Sequence, residues 1–258
     1  MPCDPVTLAT YLAGHASFLS PFTLSRRLIA IGRAHDILGH PNPCRSAVVK
    51  STMRGIFRVH GRVQRQVKPL LPNDILSMLP LMVGRSGLRD RALILIGFAG
   101  AFRRSELVAI RFEHIKFVRE GLTIFIPRAK TDQLRQGRRI GIPHGKIPGC
   151  PVQAMATWLE RSAIESGPVF RAVSKSNKIA NSALSPQSVA NIIKRYAERI
   201  GLSGGDYSGQ SLRAGFITHA SEAKIPTWKI RQQTGHRSDA MLQRYIRDVD
   251  LFTLLDQR

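Results

Sequence analysis

The sequence predicts a mainly α-helical protein with one small antiparallel β-sheet: an N-terminal helical domain over residues 1–66, a linker over 67–72 and an α+β domain over 73–258. Three observations carry that reading. Apolar residues recur at helical spacing through residues 6–19 and 24–38. Pro69 and Pro72 then break a basic stretch that does not continue the helical pattern. Beyond them, three strand-like runs at residues 114–118, 122–127 and 138–143 lie between helical segments on both sides.

Within the N-terminal region, Ser20-Pro21-Phe22-Thr23 separates two helices and His40-Pro41-Asn42-Pro43 ends the second, because proline fixes φ and lacks an amide donor. A third helix is expected from Ser46. On it Lys50, Arg54, Arg58 and Arg62 follow at intervals of four with Arg65 three further on, while Val49, Met53, Ile56 and Val59 fall toward the other side. Solvated helix faces usually mix signs to form pairs, but no acid occurs between Asp36 and Asp74. The stripe therefore reads as a set of phosphate contacts without base readout, and Arg26 and Arg27 join it as DNA-binding candidates. In the second domain Asn73 caps a helix to about Met82, residues 88–101 form a buried apolar helix and residues 105–110 a shorter one. The first two strands turn at Glu120-Gly121, and helices resume over residues 151–165, 186–200, 212–223, 227–234 and 239–247.

A chain of 258 residues with 43% hydrophobic content can bury ordinary cores, which excludes disorder. Its 39 Lys and Arg against 17 Asp and Glu give a net charge of +22 and point to a polyanionic partner, most commonly a phosphate backbone. Charge alone does not separate a ribosomal protein, a repressor and a DNA enzyme. Cys3, Cys44 and Cys150 are odd in number and far apart, so neither a disulfide framework nor a zinc ribbon is indicated, and a reducing cytoplasm fits. The longest apolar stretch, residues 92–102, is too short to span a bilayer, and no secretory leader is visible. The eight histidines show no ligand spacing, so no metal or other cofactor is expected.

The chemistry is concentrated toward the C-terminus. Tyr245 lies nine residues after His236, and Ser211-Leu212-Arg213 stands one helix upstream. A phenolic hydroxyl gathered with arginine and histidine on a basic protein suggests attack on a phosphodiester. Taken in order, Phe102-Arg103-Arg104-Ser105-Glu106-Leu107, the loop lysine of Arg128-Ala129-Lys130-Thr131-Asp132-Gln133, Ser208-Gly209-Gln210-Ser211-Leu212-Arg213, Gly235-His236 and Tyr245 resemble the motifs of the tyrosine recombinase (phage integrase) family. The likeness covers about residues 73–250, and the N-terminal helices resemble that family's core-binding domain.

What the resemblance implies is a site-specific recombinase or integrase that needs neither metal nor ATP. Tyr245 attacks a DNA phosphate, leaving a 3'-phosphotyrosyl link and a free 5'-hydroxyl that later attacks another strand. Arg103 and Arg213 match the two catalytic arginines, whose planar forks suit two phosphate oxygens. The family's Arg-x-x-Glu spacing selects Arg103 over Arg104 and marks Glu106 as a supporting group. Lys130 matches the general acid, His236 a hydrogen-bond donor to phosphate, and Arg135, Arg138 and Arg139 are expected to contact phosphates. Double-stranded DNA is the implied partner, with a tetramer on two sites coupled through a C-terminal helix bearing Leu251, Phe252, Leu254 and Leu255; packing of that apolar face on its own domain is the alternative.

Two departures qualify the likeness. Gln210 stands where the family usually carries histidine; its amide can donate a hydrogen bond but cannot exchange a proton near neutral pH, which implies reduced or retuned activity. The helical domain is also short for the family, as if its first helix were absent. Two alternatives keep a place beside the recombinase: a DNA-binding protein of the same fold with lost catalysis, and a type IB topoisomerase-like enzyme that relaxes supercoils without a partner site.

Overall fold

The computed structural model describes residues 2–61, 67–127, 137–236, 238, 239 and 242. The chain divides into two compact units, Met1–Gln66 and Val67–Arg258. The expected residues Arg62, Arg65, Lys130, Arg135 and Tyr245 and the C-terminal apolar cluster lie outside the described residues.

The first unit holds α1 (Pro5–Gly14), α2 (Pro21–Ile37), a 3-10 turn at Pro43–Arg45 and α3 (Ala47–His60). Proline opens α1 and α2, where the missing amide costs nothing. The Asp4 carboxylate accepts from the amides of Val6 and Thr7 at 2.8 and 3.0 Å, and the Ser20 hydroxyl accepts from that of Thr23 at 3.2 Å. Leu8, Leu12, Leu24, Val49, Met53 and Ile56 form the core. Lys50, Arg54 and Arg58 lie on the exposed side of α3, as do Arg26 and Arg27 on α2. Two expectations need correction. The first helix stops at Gly14 rather than near residue 19, where His15 turns its ring back to the Tyr11 carbonyl at 2.8 Å. Val59, expected on the apolar side, is 78% exposed, because at ~100° per residue it falls off the edge of the Val49–Met53–Ile56 stripe.

The second unit begins with an extended segment tied into it by its backbone: the amides of Lys68 and Leu70 donate to the carbonyls of Asp206 and Ser211 at 2.9 and 3.0 Å, and Leu70 is buried. Then come α4 (Pro72–Met78), a 3-10 turn, α5 (Gly84–Ala99), α6 (Arg104–Val108), β1 (Ile115–Val118), β2 (Gly121–Ile126), β3 (Arg138–Pro143) and α7 (Pro151–Ser162). The remainder comprises β4 (Arg171–Val173), β5 (Ile179–Ala183), α8 (Pro186–Arg199), α9 (Ser211–Glu222) and α10 (Thr227–Thr234). α5 starts four residues before its expected beginning at 88; Gly87 in its first turn approaches the Met82 backbone so closely that a Cβ would sit 2.4 Å from a carbonyl carbon.

Strands β1, β2 and β3 form an antiparallel meander with Ile115 opposite Ile124 and Ile124 opposite Ile140. Its core face carries Leu122, Ile124, Ile126, Ile140 and Ile142, all buried, while Phe125 and Arg139 face outward, as period-two alternation requires. A second antiparallel pair, β4 with β5, corrects the expectation of one sheet; these short strands pair only Val173 with Ile179 as apolar partners, too little pattern to stand out in the sequence. Under α5 and α8, the fully buried carboxylate of Asp90 accepts from Arg89 at 2.6 and 2.9 Å, from Arg195 at 2.6 Å and from the Tyr196 hydroxyl at 3.1 Å. Its lone pairs are thus satisfied where an unpaired charge would be costly. No helix among the described residues is long and apolar enough to cross a membrane.

Candidate active site

Four segments far apart in the sequence converge on one polar cluster in the second unit. The first is the turn into α6. Arg103 precedes the helix, and Glu106, three residues on, folds back so that its carboxylate accepts from the Arg103 amide at 3.1 Å and from Arg103 Nη1 at 2.7 Å. Glu106 is buried, whereas Arg103 keeps partial access to solvent. Arg104, the rival candidate, is exposed and packs beside Gly209.

The second segment is β3. Arg138, expected to contact phosphate, instead has a side chain only 17% exposed and held within the protein. Nη2 donates to Glu106 Oε2 at 2.9 Å, Nη1 donates to the Gln233 carbonyl at 2.9 Å, and Nε is buried without a hydrogen-bond partner among the described residues. Its parity with Ile140 and Ile142 is the sequence signal for this inward orientation, since residues two apart in a strand share a face. Arg139, the next residue, is exposed. Glu106 thus accepts from two guanidinium groups that would otherwise repel each other.

The third segment is α9. Gln210 is its exposed N-cap, and Arg213 lies one turn later, buried. Arg213 Nη1 donates to the Ala101 carbonyl at 2.8 Å, which ties α9 to the residues just before Arg103. The fourth is the end of α10, where Gly235 takes the left-handed conformation at φ +68° and turns the chain into His236. Arg213 Nη2 lies 3.0 Å from His236 Nε2, and Thr234 Oγ1 lies 2.9 Å from His236 Nδ1. Gln233 completes the frame by donating from Nε2 to the carbonyls of Ala99 and Gly141 at 2.9 and 3.2 Å. Neither Gln233 nor Thr234 stands out in the sequence, although Thr234 shares a helix face with buried Ile230, four residues earlier.

The electrostatics follow from this packing. Burial, and then the positive charges of Arg213, Arg103 and Arg138, push the His236 pKa down to about 4, with Glu106 opposing them. His236 is therefore neutral at physiological pH. The tyrosines Tyr196 and Tyr207 are buried with raised pKa values, mainly through desolvation, and Tyr196 is engaged by Asp90. The structure brings Arg103, Glu106, Arg138, Arg213 and His236 together; it leaves Lys50, Arg54, Arg58, Arg26 and Arg27 on the separate helical unit.

A mixed helix-and-sheet unit that gathers arginines and a neutral histidine around one buried carboxylate defines a site built to bind and polarise an anionic group such as phosphate. Residues 68–250 match the model of the phage integrase family, and the chain belongs to that family, as a tyrosine recombinase that breaks and rejoins DNA strands. It is 38% identical over 258 residues to an integrase/recombinase xerD homolog of Selenomonas ruminantium, covering 98% of this chain and 76% of that one. It is also 26% identical to the tyrosine recombinase XerA of Pyrococcus furiosus, over 78% of this chain and 68% of the relative. Among solved structures it resembles the XerH site-specific recombinase bound to a palindromic difH substrate, with a TM-score of 0.68, 16% identity and coverage of 99% and 73%. A Tn1549 transposon integrase in complex with transposon right end DNA shares the fold with a TM-score of 0.66 and 14% identity, over 97% of this chain and 85% of the other.

Proposed function

We propose that this recombinase cleaves each strand of duplex DNA with Tyr245 as nucleophile and holds the reacting phosphate with Arg103 and Arg213. The phenolic oxygen loses its proton to solvent as it forms a bond to phosphorus, the 5'-oxygen departs and takes a proton from Lys130, and the product is a 3'-phosphotyrosyl ester. A 5'-hydroxyl of a second strand then reverses the step, so the phosphoester bond energy is retained and no nucleotide hydrolysis is needed. Negative charge grows on the non-bridging oxygens during attack, and fixed guanidinium groups are suited to absorb it because they stay charged at any working pH. The observation that carries the reading is the meeting of Arg103 and Arg213 around His236, within the part of the chain that the family model matches.

Gln210 stands one turn before Arg213 on the same helix face and can donate its amide to a phosphate oxygen without exchanging a proton. In this reading the exposed Lys50, Arg54 and Arg58, with Arg26, Arg27 and Arg139, contact the DNA backbone, and four protomers assemble on two sites through their C-terminal segments. In this reading the enzyme works in the cytoplasm, at the nucleoid when bound to DNA.

A DNA duplex nicked near the cleavage site tests the proposal, because loss of the short fragment traps the covalent complex. Wild-type protein is expected to give an adduct that disappears in Tyr245→Phe while DNA binding persists. An adduct retained by Tyr245→Phe would overturn the assignment. If the wild type binds but gives no adduct, and Gln210→His restores one, the chain is a binding protein that has lost its chemistry at that position. Relaxation of plasmids lacking any defined site, with no recombinant product, would instead indicate a topoisomerase.

A further inference from the structure

The carboxylate of Glu106 has room for about four hydrogen bonds, two at each oxygen. Oε2 accepts two, from Arg138 Nη2 at 2.9 Å and from the Arg103 amide at 3.1 Å. Oε1 accepts from Arg103 Nη1 at 2.7 Å. A guanidinium and a carboxylate commonly close on each other as a fork, with two parallel bonds that use both oxygens. Here the fork does not close, because both lone pairs of Oε2 are taken before a second guanidinium nitrogen of Arg103 can reach it. Arg103 is held by one arm, and its Nε and Nη2 make no hydrogen bond among the described residues. Arg138 is itself fixed from the other side: Nη1 donates to the Gln233 carbonyl at 2.9 Å, and the chain at Gly235 passes so close that a Cβ there would stand 2.7 Å from that nitrogen.

We infer that Arg138 is a positioning residue: by filling Oε2 of Glu106 it limits Arg103 to a single bond and leaves the other nitrogens of that guanidinium for a phosphate. The inference rests on the assignment of Arg103 to the reacting phosphate. It gives Arg138 a part different from the phosphate contact its sequence suggested, since a side chain spent on Glu106 and Gln233 acts on the substrate only through Arg103. It also resolves a conflict built into the site. A buried carboxylate beside Arg103 is needed to offset the clustered positive charge, yet left to itself it would draw in both arms of that arginine and compete with the substrate. Arg138 lets Glu106 do the first without the second. The exposures agree with this division, because Glu106 is buried while the Arg103 side chain keeps access to solvent.

Crystal structures of the DNA-free protein, wild type and Arg138→Met, combined with single-turnover cleavage of a nicked duplex, test the inference. In the wild type Arg103 is expected to meet Glu106 through Nη1 alone. In Arg138→Met, which keeps the bulk but removes the donors, both carboxylate oxygens are expected to bond the Arg103 guanidinium. Cleavage by this variant should fall on the order of a hundredfold with DNA affinity little changed, the size expected when a group that holds the substrate is misplaced. Arg138→Lys, whose ammonium can still fill Oε2, should cleave near the wild-type rate. Adding Glu106→Gln to Arg138→Met should recover part of the loss, because a carboxamide has one acceptor oxygen and cannot close the fork; a merely structural role for Arg138 would be worsened by the second change. An Arg103 that keeps its single bond in Arg138→Met, or a double variant no faster than the single one, would overturn the inference. Should Arg138→Met fail to fold, Arg138→Leu, which matches Ile140 and Ile142 on the same strand face, carries the same expectation. The crystal structures decide the matter even when no cleavage is seen, which separates its failure from failure of the proposed function.

Discussion

Replacing Glu106 with glutamine removes the carboxylate that holds the arginine cluster together while leaving its volume intact. The group is 4% exposed and accepts from Arg103 Nη1, Arg138 Nη2 and the Arg103 amide at 2.7, 2.9 and 3.1 Å. A carboxamide keeps one acceptor oxygen but turns an NH2 donor toward a guanidinium, so at least one charge-assisted bond is lost and two donors oppose each other. Breaking a buried pair from one side costs about 3–5 kcal/mol, and the residual exposure of Arg103 and Arg138, 21% and 17%, reduces that to about 2–4 kcal/mol. Both tryptophans, Trp158 and Trp228, belong to the second unit, so urea unfolding followed by tryptophan fluorescence reports on that unit. The loss should persist when salt is raised from about 0.15 M to about 1 M, since salt screens buried pairs much less than exposed ones. A change below about 0.5 kcal/mol, or one abolished by salt, would refute the claim that this carboxylate offsets the repulsion around it.

Three further outcomes follow from the same geometry. His236 has a folded pKa of about 4, below its ordinary 6.5, so the unfolded chain binds more protons between those values. Stability should therefore fall as pH drops from about 6.5 to about 4, by up to roughly 3 kcal/mol from this residue; unfolding curves of His236→Asn should show a shallower dependence, and an unchanged slope would contradict the shift. Gly235→Ala forces a side chain onto a residue at φ +68° and sets its Cβ 2.7 Å from Nη1 of the Arg138 guanidinium, which is held by the Gln233 carbonyl at Nη1 and by Glu106 at Nη2. A loss of about 1–2 kcal/mol is expected in denaturant titrations, and wild-type stability would argue against the tight approach. Joint replacement of Lys50, Arg54 and Arg58 by alanine should lower the log–log salt slope of DNA binding by roughly 0.9 for each phosphate no longer neutralised; fluorescence anisotropy at several salt concentrations measures it, and an unaltered slope would remove this face from the DNA footprint.

Much of the fold was readable because its elements announce themselves locally. Prolines and side-chain caps mark the starts of α1 and α2, and the alternation of isoleucines marks β2 and β3. What escaped was decided by tertiary contacts. Val59 continues an apolar rhythm on α3 yet ends exposed, and β4 with β5 has only one apolar cross-strand pair. The site divides in the same way. Arg103 and Arg213 stand out through their spacing to other motif residues, whereas Arg138 and Arg139 are adjacent cations that composition cannot distinguish; strand parity sends one inward and the other out. Thr234 looks like an ordinary helical threonine, because its contact with His236 arises only from the left-handed turn at Gly235.

The contacts that build the cluster also set the order in which it can assemble during synthesis. Arg213 is braced by Ala101 across 112 positions and Arg138 by Gln233 across 95, so the first brace cannot form before residue 213 is made nor the second before residue 233. A prematurely terminated product ending before residue 213 would retain the basic helices of the first unit without the Arg213 brace to Ala101. Chain order alone thus defers completion of the arginine cluster until residue 233 has been made.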